Sequence, residues 1–358
     1  MKTLKKKKKL RVGIIFGGKS AEHEISLQSA RNIFQFMDRE KYKIVLIFID
    51  KKGRWYLNES PKNSSFTEFK KGKNILLNFS QEKPFEQIDV AFPVLHGPYG
   101  EDGTIQGLFK TANIPFVGTG VLGSAISMDK DITKRLLREA GIPIVKFLTL
   151  HRSLIKETSF KTVKDKIGLP FFIKPANTGS SIGINKVKKE EEFLASLKEA
   201  FQYDNKILLE EAIQGREIEC SVLGNENPIA SLPGEIIPRY EFYSYKAKYL
   251  DEKGAILKIP AELPANLTTQ IQNLSLKVFK LLECKGMARV DFFLKNNQEI
   301  IVNELNTIPG FTRISMYPKL WEASGISYPQ LIERLIQLAF ERFKNEKRIK
   351  TSFSPQNP

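Results

Sequence analysis

Residues 287–306, MARVDFFLKNNQEIIVNELN, hold the reading on which the rest of the chain turns. Met287 to Leu294 and Glu299 to Asn306 read as two strands joined by Lys295-Asn296-Asn297-Gln298, a composition that suits a hairpin turn. Side chains alternate faces along a strand, so Arg289 and Asp291 share one face, as do Glu304 and Asn306. Ala288, Val290 and Phe292 take the opposite face of the first strand, and Leu305 that of the second. Two carboxylates and an amide oxygen on one face are hard oxygen ligands suited to Mg²⁺, which usually also keeps waters and substrate phosphates. On spacing alone, the solvated face of an ordinary hairpin fits equally well. Position favours the metal: Asn306 runs into Thr307-Ile308-Pro309-Gly310-Phe311-Thr312, so the polar face lies at a strand end beside a glycine-containing loop.

Outward from this hairpin, the first third of the chain alternates strands with helices. Leu10 to Phe16 is a buried strand running into Gly17-Gly18, and Ala21 to Met37 carries Ile25, Ala30, Ile33, Phe34 and Met37 at helical spacing. Lys43 to Ile49 and Ile88 to Leu95 are two further strands, the latter ending in His96-Gly97. This rhythm predicts a parallel sheet with ligand groups at the carboxyl ends of its strands. In the middle, a helix over Asp131 to Ala140 stops at Gly141-Ile142-Pro143, and Leu169 to Lys174 and Ile184 to Val187 are strands around a loop, Thr178 to Gly183. Beyond Lys206, strands alternate with two amphipathic helices, Asn266 to Cys284 and Tyr328 to Phe343. The expected division is a disordered basic tail at 1–9, an N-terminal unit at 10–120, a central one at 121–209, a C-terminal one at 210–345 and a tail at 346–358.

Composition narrows the function. The formal net charge is +16, but beyond the lysines of the first nine residues the basic side chains are scattered. No basic stripe interleaved with aromatics and no zinc-knuckle or helix-turn-helix pattern accompanies them, so a nucleic-acid partner is not expected and an anionic small molecule is. The longest apolar runs fall far short of the ~20 residues that span a bilayer. Arg11 interrupts the apolar stretch after the lysines, which argues against a secretory signal. Cys220 and Cys284 form no disulfide or metal pattern, and a cytoplasmic location is expected.

Several short segments carry candidate chemistry. Lys174-Pro175 precedes the Thr178–Gly183 loop, where small residues let backbone N–H groups approach phosphate oxygens beside a lysine. The GxxxxGK[ST] phosphate-loop pattern is absent. Lys130 is a second lysine for a nucleotide, although taken singly it reads as a surface residue. Glu210, Glu211 and Glu217 lie at and after a strand end; alone they read as solvated acids. Glu22 and Glu24 open a helix, where helix-dipole complementation explains them, while the same place at a sheet's carboxyl edge would hold an ammonium group. His96-Gly97-Pro98-Tyr99-Gly100-Glu101-Asp102-Gly103 holds more glycine, acid and imidazole than a simple turn needs. Phe242 to Tyr249 is aromatic and basic, either a short strand or a loop that closes over a ligand.

Their order along the chain is more specific than any one of them. Gly17-Gly-x-Ser20-Ala-Glu22-His-Glu24, His96-Gly-x-x-Gly-Glu-Asp-Gly103, Lys174-Pro-x-x-x-Gly-Ser180-Ser-x-Gly183, Tyr245-x-x-Lys248-Tyr249, Arg289-x-Asp291 and Glu304-x-Asn306-Thr-x-Pro-Gly310 occur in succession. From about Leu10 to Phe343 the chain resembles the D-alanine–D-alanine ligase family of the ATP-grasp superfamily. The resemblance implies an α/β chain, α+β in its C-terminal part, with a Rossmann-like parallel-sheet domain followed by a two-part ATP-grasp fold. It implies ATP, contacted by Lys130, Lys174, Ser180 and Ser181 and recognised through Glu210, Glu211 and Glu217. Two Mg²⁺, for which Mn²⁺ can substitute, would be held by Asp291, Glu304 and Asn306. Glu22, linked to Ser180 and Tyr249, would take the first D-alanine, with His96 close by. Lys248 and Ser315 would take the carboxylate of the second, and Arg289 with the Gly310 N–H would form the oxyanion site. Tyr249 favours the dipeptide over the D-alanyl-D-lactate ester, and family resemblance suggests a homodimer. The rival readings are another ATP-grasp amide or ester ligase, or a nucleotide-binding module without catalysis.

Overall fold

The computed structural model describes residues 9–58, 88–239 and 254–350. Residues 1–8 of the basic tail and the 242–249 segment, with Tyr245, Lys248 and Tyr249, lie outside them. Three sheets organise the described residues. In the first, β1 (Leu10–Gly17) pairs in parallel with β2 (Tyr42–Ile49) and with β4 (Val90–Val94), as the alternation of strands and helices predicts. The fourth member, β3 (Trp55–Asn58), is antiparallel to β2 and was not expected from the sequence.

Both faces of this sheet are covered, which explains why its strands read as continuous apolar runs. One face packs on α1 (His23–Phe36) and, from the other end of the chain, on the C-terminal helix Tyr328–Glu346, through Val12, Ile14, Ile33, Leu331 and Leu335. Ile15, Val45 and Ile47 on the other face meet Ile105 and Phe109 of α2 (Thr104–Thr111). Arg342 ties the C-terminal helix to the first unit by donating to the carbonyls of Phe116 (2.8 Å) and Gly118. No periodicity in residues 328–346 could reveal which sheet they would cover.

Next come α3 (Val121–Met128) and α4 (Lys130–Glu139). The Asp129 side chain caps α4, accepting from the N–H groups of Asp131 and Ile132 at 3.1 Å each. Gly141, left-handed at φ 67°, ends that segment where the sequence predicts a stop. The second sheet is antiparallel, in the order β5 (Phe147–His151), β8 (Lys206–Glu211), β6 (Phe171–Pro175), β7 (Asn185–Val187).

The third sheet is also antiparallel, in the order β12 (Ala255–Lys258), β11 (Gly234–Pro238), β9 (Arg216–Gly224), β13 (Gly286–Lys295), β14 (Glu299–Asn306), with the short β10 (Ile229–Ala230) paired to β9. The 287–306 hairpin is present as read: Ala288, Val290 and Phe292 are buried against the helix Ala265–Leu281, with the polar row opposite. A register shift between Asp291 and Phe292 leaves Asn303 as an extra residue in β14, a bulge one position before Glu304.

Candidate active site

The site lies where the carboxyl-end loops of the first sheet meet the loop of the second and the polar face of the third. Glu22 precedes α1 with its carboxylate buried, and it makes no capping bond. Instead, the Ser180 hydroxyl donates to Glu22 Oε1 from the Thr178–Gly183 loop. Two glycines leave room for that carboxylate. A Cβ on Gly97 would stand 2.5 Å from Glu22 Oε2, and one on Gly179 3.0 Å from it. Glu24, by contrast, pairs with Lys51 (2.9 Å) on the surface, which holds its carboxyl below the usual range. Ser180 and Ser181 are left-handed at φ 54° and 59°, a conformation costing about 1 kcal/mol each for residues with a Cβ. Strain of this kind concentrates at functional loops.

A second set of contacts fixes the loop after β14. The Phe311 N–H donates to Ser29 Oγ (3.1 Å), and Ser29 lies 3.2 Å from His96 Nε2. His96 Nδ1 lies 2.9 Å from the Ile308 carbonyl, so the network assigns the imidazole proton to Nδ1. Glu101 accepts from the N–H groups of Gly97 (2.8 Å) and Ile308 (2.9 Å), clamping the two loops together. Burial first, and then the charge of Glu22, push its carboxyl up to about 8. Ser315 Oγ accepts from the Thr312 N–H (3.0 Å) and would lie 2.7 Å from a Cβ on Gly310, so a larger residue there would displace the Ser315 hydroxyl.

Burial pushes the His96 imidazole down to about 4, helped by Arg289 and opposed by the Ile308 carbonyl. Unfolding returns the ring to its ordinary value of 6.5, so the unfolded chain binds a proton that the folded chain refuses. Stability from this group is full above that value and is lost as pH falls toward 4, by about 3 kcal/mol in all. The unfolding free energy of His96→Gln should therefore fall less than that of the wild type over this range. Equal pH dependence in the two chains would sink the assignment. The comparison cancels Glu101, whose raised pKa acts in the opposite sense.

On the third sheet, Asp291 faces Glu304 and Arg289 faces Asn306. Arg289 grips Asp291 with two bonds of 2.7 Å, and the Asn306 amide nitrogen donates to Asp291 Oδ2 at 2.9 Å. Glu219, opposite Asp291 on β9, lies 2.9 Å from Arg289 Nε. The sequence reading passed over Glu219, yet alternation along β9 places it with Glu217 on this same face. Among the described residues no three His, Cys, Asp or Glu side chains gather at metal-binding spacing. Two carboxylates and an amide give too few ligands to enclose an ion, which suits Mg²⁺ completed by phosphate oxygens and water.

The nucleotide candidates divide. Lys130 Nζ donates to the Thr178 carbonyl (2.6 Å) and lies 3.9 Å from Glu304, at a cleft of about 30 Å³ that Glu101 and Gly179 also line. Lys174 donates to the buried Glu210 at 2.7 Å, and Lys134 lies 3.4 Å from the other oxygen of that carboxylate. Against the effect of burial, the two ammonium groups hold the Glu210 carboxyl down to about 2. Glu211 instead accepts from the Lys146 N–H at 2.7 Å, and Glu217 is half-buried on β9, close enough for its charge to act on Lys174. Cys220 and Cys284 are free and buried, and burial pushes both thiols up to about 11.

Residues 11–119 match the family described as D-ala D-ala ligase N-terminus, and residues 136–337 the one described as D-ala D-ala ligase C-terminus. The D-alanine–D-alanine ligase of Oceanobacillus iheyensis is 54% identical over 364 residues, covering 97% of this chain and 99% of that one. The VanG D-Ala:D-Ser ligase of Enterococcus faecalis superposes with a TM-score of 0.83 at 37% identity, covering 93% of this chain and 100% of that one. The Bacillus anthracis D-alanine–D-alanine ligase complexed with ATP gives 0.74 at 30% identity, covering 94% and 99%.

Proposed function

The chain belongs to the D-alanine–D-alanine ligase family, and from that membership we propose how its own residues perform the reaction. It is an ATP-dependent ligase that condenses two D-alanines to D-alanyl-D-alanine for peptidoglycan synthesis. The observation that carries the assignment of roles is the Ser180–Glu22 hydrogen bond, which brings the ammonium-binding candidate against the phosphate-loop candidate.

In this reading Glu22 receives the ammonium of the first D-alanine, with His96 close by. Lys130 and Lys174 neutralise ATP phosphates, joined by Ser180 and Ser181 of the strained loop. Glu211 and Glu217 serve adenine and ribose, and Glu210 contributes by holding Lys174. The carboxylate of the first D-alanine attacks the γ-phosphorus, the bond to ADP breaks, and a D-alanyl phosphate forms. Positioning and charge neutralisation do most of the work in such a transfer. Asp291, Glu304 and Asn306 would hold two Mg²⁺, or Mn²⁺ in their place, which supply charge neutralisation at the phosphates. The amine of the second D-alanine, its carboxylate held by Ser315 and by Lys248, then attacks the acyl carbonyl and phosphate leaves. Arg289 and the Gly310 N–H face the developing oxyanion. Tyr249 belongs to the same proposal, as a partner of Glu22 alongside Ser180.

We further propose three units bounded near 120 and 210, a homodimer, and a cytoplasmic location. Among the described residues no helix is long and apolar enough to cross a membrane. The VanG relative is a D-Ala:D-Ser ligase on the same fold, so fold alone does not choose the second substrate. The test is product analysis from ATP, Mg²⁺ and D-alanine. ADP release should require D-alanine and yield the dipeptide. Release as strong with L-alanine, or with D-lactate alone, would overturn the substrate assignment.

A further inference from the structure

Lys134 takes no part in the proposed chemistry, yet among the described residues it is one of the most deeply buried charged side chains, 2% exposed. It lies one turn beyond Lys130 on α4, so both lysines leave the same face of that helix. Its ammonium contacts two elements of the site at once. It donates to the carbonyl of Asn303 at 3.1 Å, the bulged residue just before Glu304. It also lies 3.4 Å from Glu210 Oε1, while Lys174 holds Glu210 Oε2 at 2.7 Å.

We propose that Lys134 is a positioning residue for the nucleotide site. It pins Glu210 between two ammonium groups and anchors the bulge that presents Glu304. The electrostatic consequence concerns Lys174. Within this cluster of three, one carboxylate shared by two lysines leaves one positive charge over, whereas Lys174 and Glu210 alone form a neutral pair. Lys134 thus leaves Lys174 free to act on phosphate, even though Lys174 is ion-paired. Glu217 and Glu304 also act on Lys174, so the lysine that offsets Glu210 matters more. Burying an ammonium is costly unless it is paired and hydrogen-bonded, and the Glu210 and Asn303 contacts meet that condition.

The inference rests on reading Lys174 as a phosphate ligand, and the experiment separates the two. ADP binding with Mg²⁺ is measured by calorimetry on the full chain. ATP and D-alanine kinetics and thermal melts accompany it for Lys134→Met, Lys134→Arg, Lys174→Met and the double variant Lys134→Met/Glu210→Gln. Lys134→Met should weaken ADP binding and raise KM for ATP roughly tenfold, as losing a group that orients a ligand-binding residue typically does. KM for D-alanine should stay within about twofold, because an interaction confined to the nucleotide leaves the other substrate's binding unchanged. Arginine should restore part of the loss, and removing the Glu210 charge from Lys134→Met should recover nucleotide affinity. If Lys134→Met is insoluble, Lys134→Gln, which keeps a donor toward Asn303, carries the same expectation. Wild-type ADP affinity in the neutral variant would overturn the proposal, as would failure of the double variant to improve on it. Unaltered affinity in Lys174→Met would instead overturn the reading of Lys174 on which it rests.

Discussion

Arg289→Ala should abolish almost all dipeptide synthesis, lowering kcat by about 10² to 10³, the usual cost of losing one preorganised oxyanion donor. Two features make the effect large. Arg289 is locked by two 2.7 Å bonds to Asp291 and by Glu219 at 2.9 Å, so its guanidinium is held in place before any substrate arrives. It is also a cation that these two buried carboxylates share, so its removal takes a countercharge from both. Arg289→Lys keeps a charge but loses the planar two-pronged grip and should recover little of the rate. Rapid-quench product analysis separates this from a folding defect: the variant should bind nucleotide yet form little D-alanyl-D-alanine. Near-normal turnover would refute the role given to Arg289.

The second large effect is expected at Glu304. It faces Asp291 across the hairpin and lies 3.9 Å from Lys130, so its charge stands between the metal candidates and the phosphate lysine. Glu304→Gln keeps the shape and removes the charge. Turnover should fall by about 10³, since the cation's share of charge stabilisation in such transfers is several kcal/mol. Mn²⁺ titration followed by electron paramagnetic resonance should show weaker binding in the variant. Chelation should silence the wild type, and added Mg²⁺ should restore it. A variant with wild-type Mn²⁺ affinity would remove Glu304 from the proposed metal set.

Much of this was legible in the sequence because it depends on local periodicity. The hairpin at 287–306, its buried face of Ala288, Val290 and Phe292, and its polar row follow from alternation alone. The parallel core of the first sheet follows from strands ending in glycine and followed by helices. The stop at Gly141 follows from the freedom of glycine to be left-handed.

Partnerships between distant segments were not legible, because no local rule encodes them. Glu22 and Glu24 both read as helix-start acids; only the fold sends Glu24 to Lys51 on the surface and buries Glu22 against Ser180. Glu210 read as a solvated acid, but the meeting of β8, β6 and α4 encloses it with Lys174 and Lys134. Sequence alone therefore determined the strands and helices with strong periodicity, though not β3, and the residue types brought to the hairpin, because backbone sterics and hydrophobic alternation act within a few residues. Tertiary structure decided which of those charges became a site. A carboxylate's partner and its exposure to water depend on chain segments more than a hundred residues away in the case of Glu22 and Ser180.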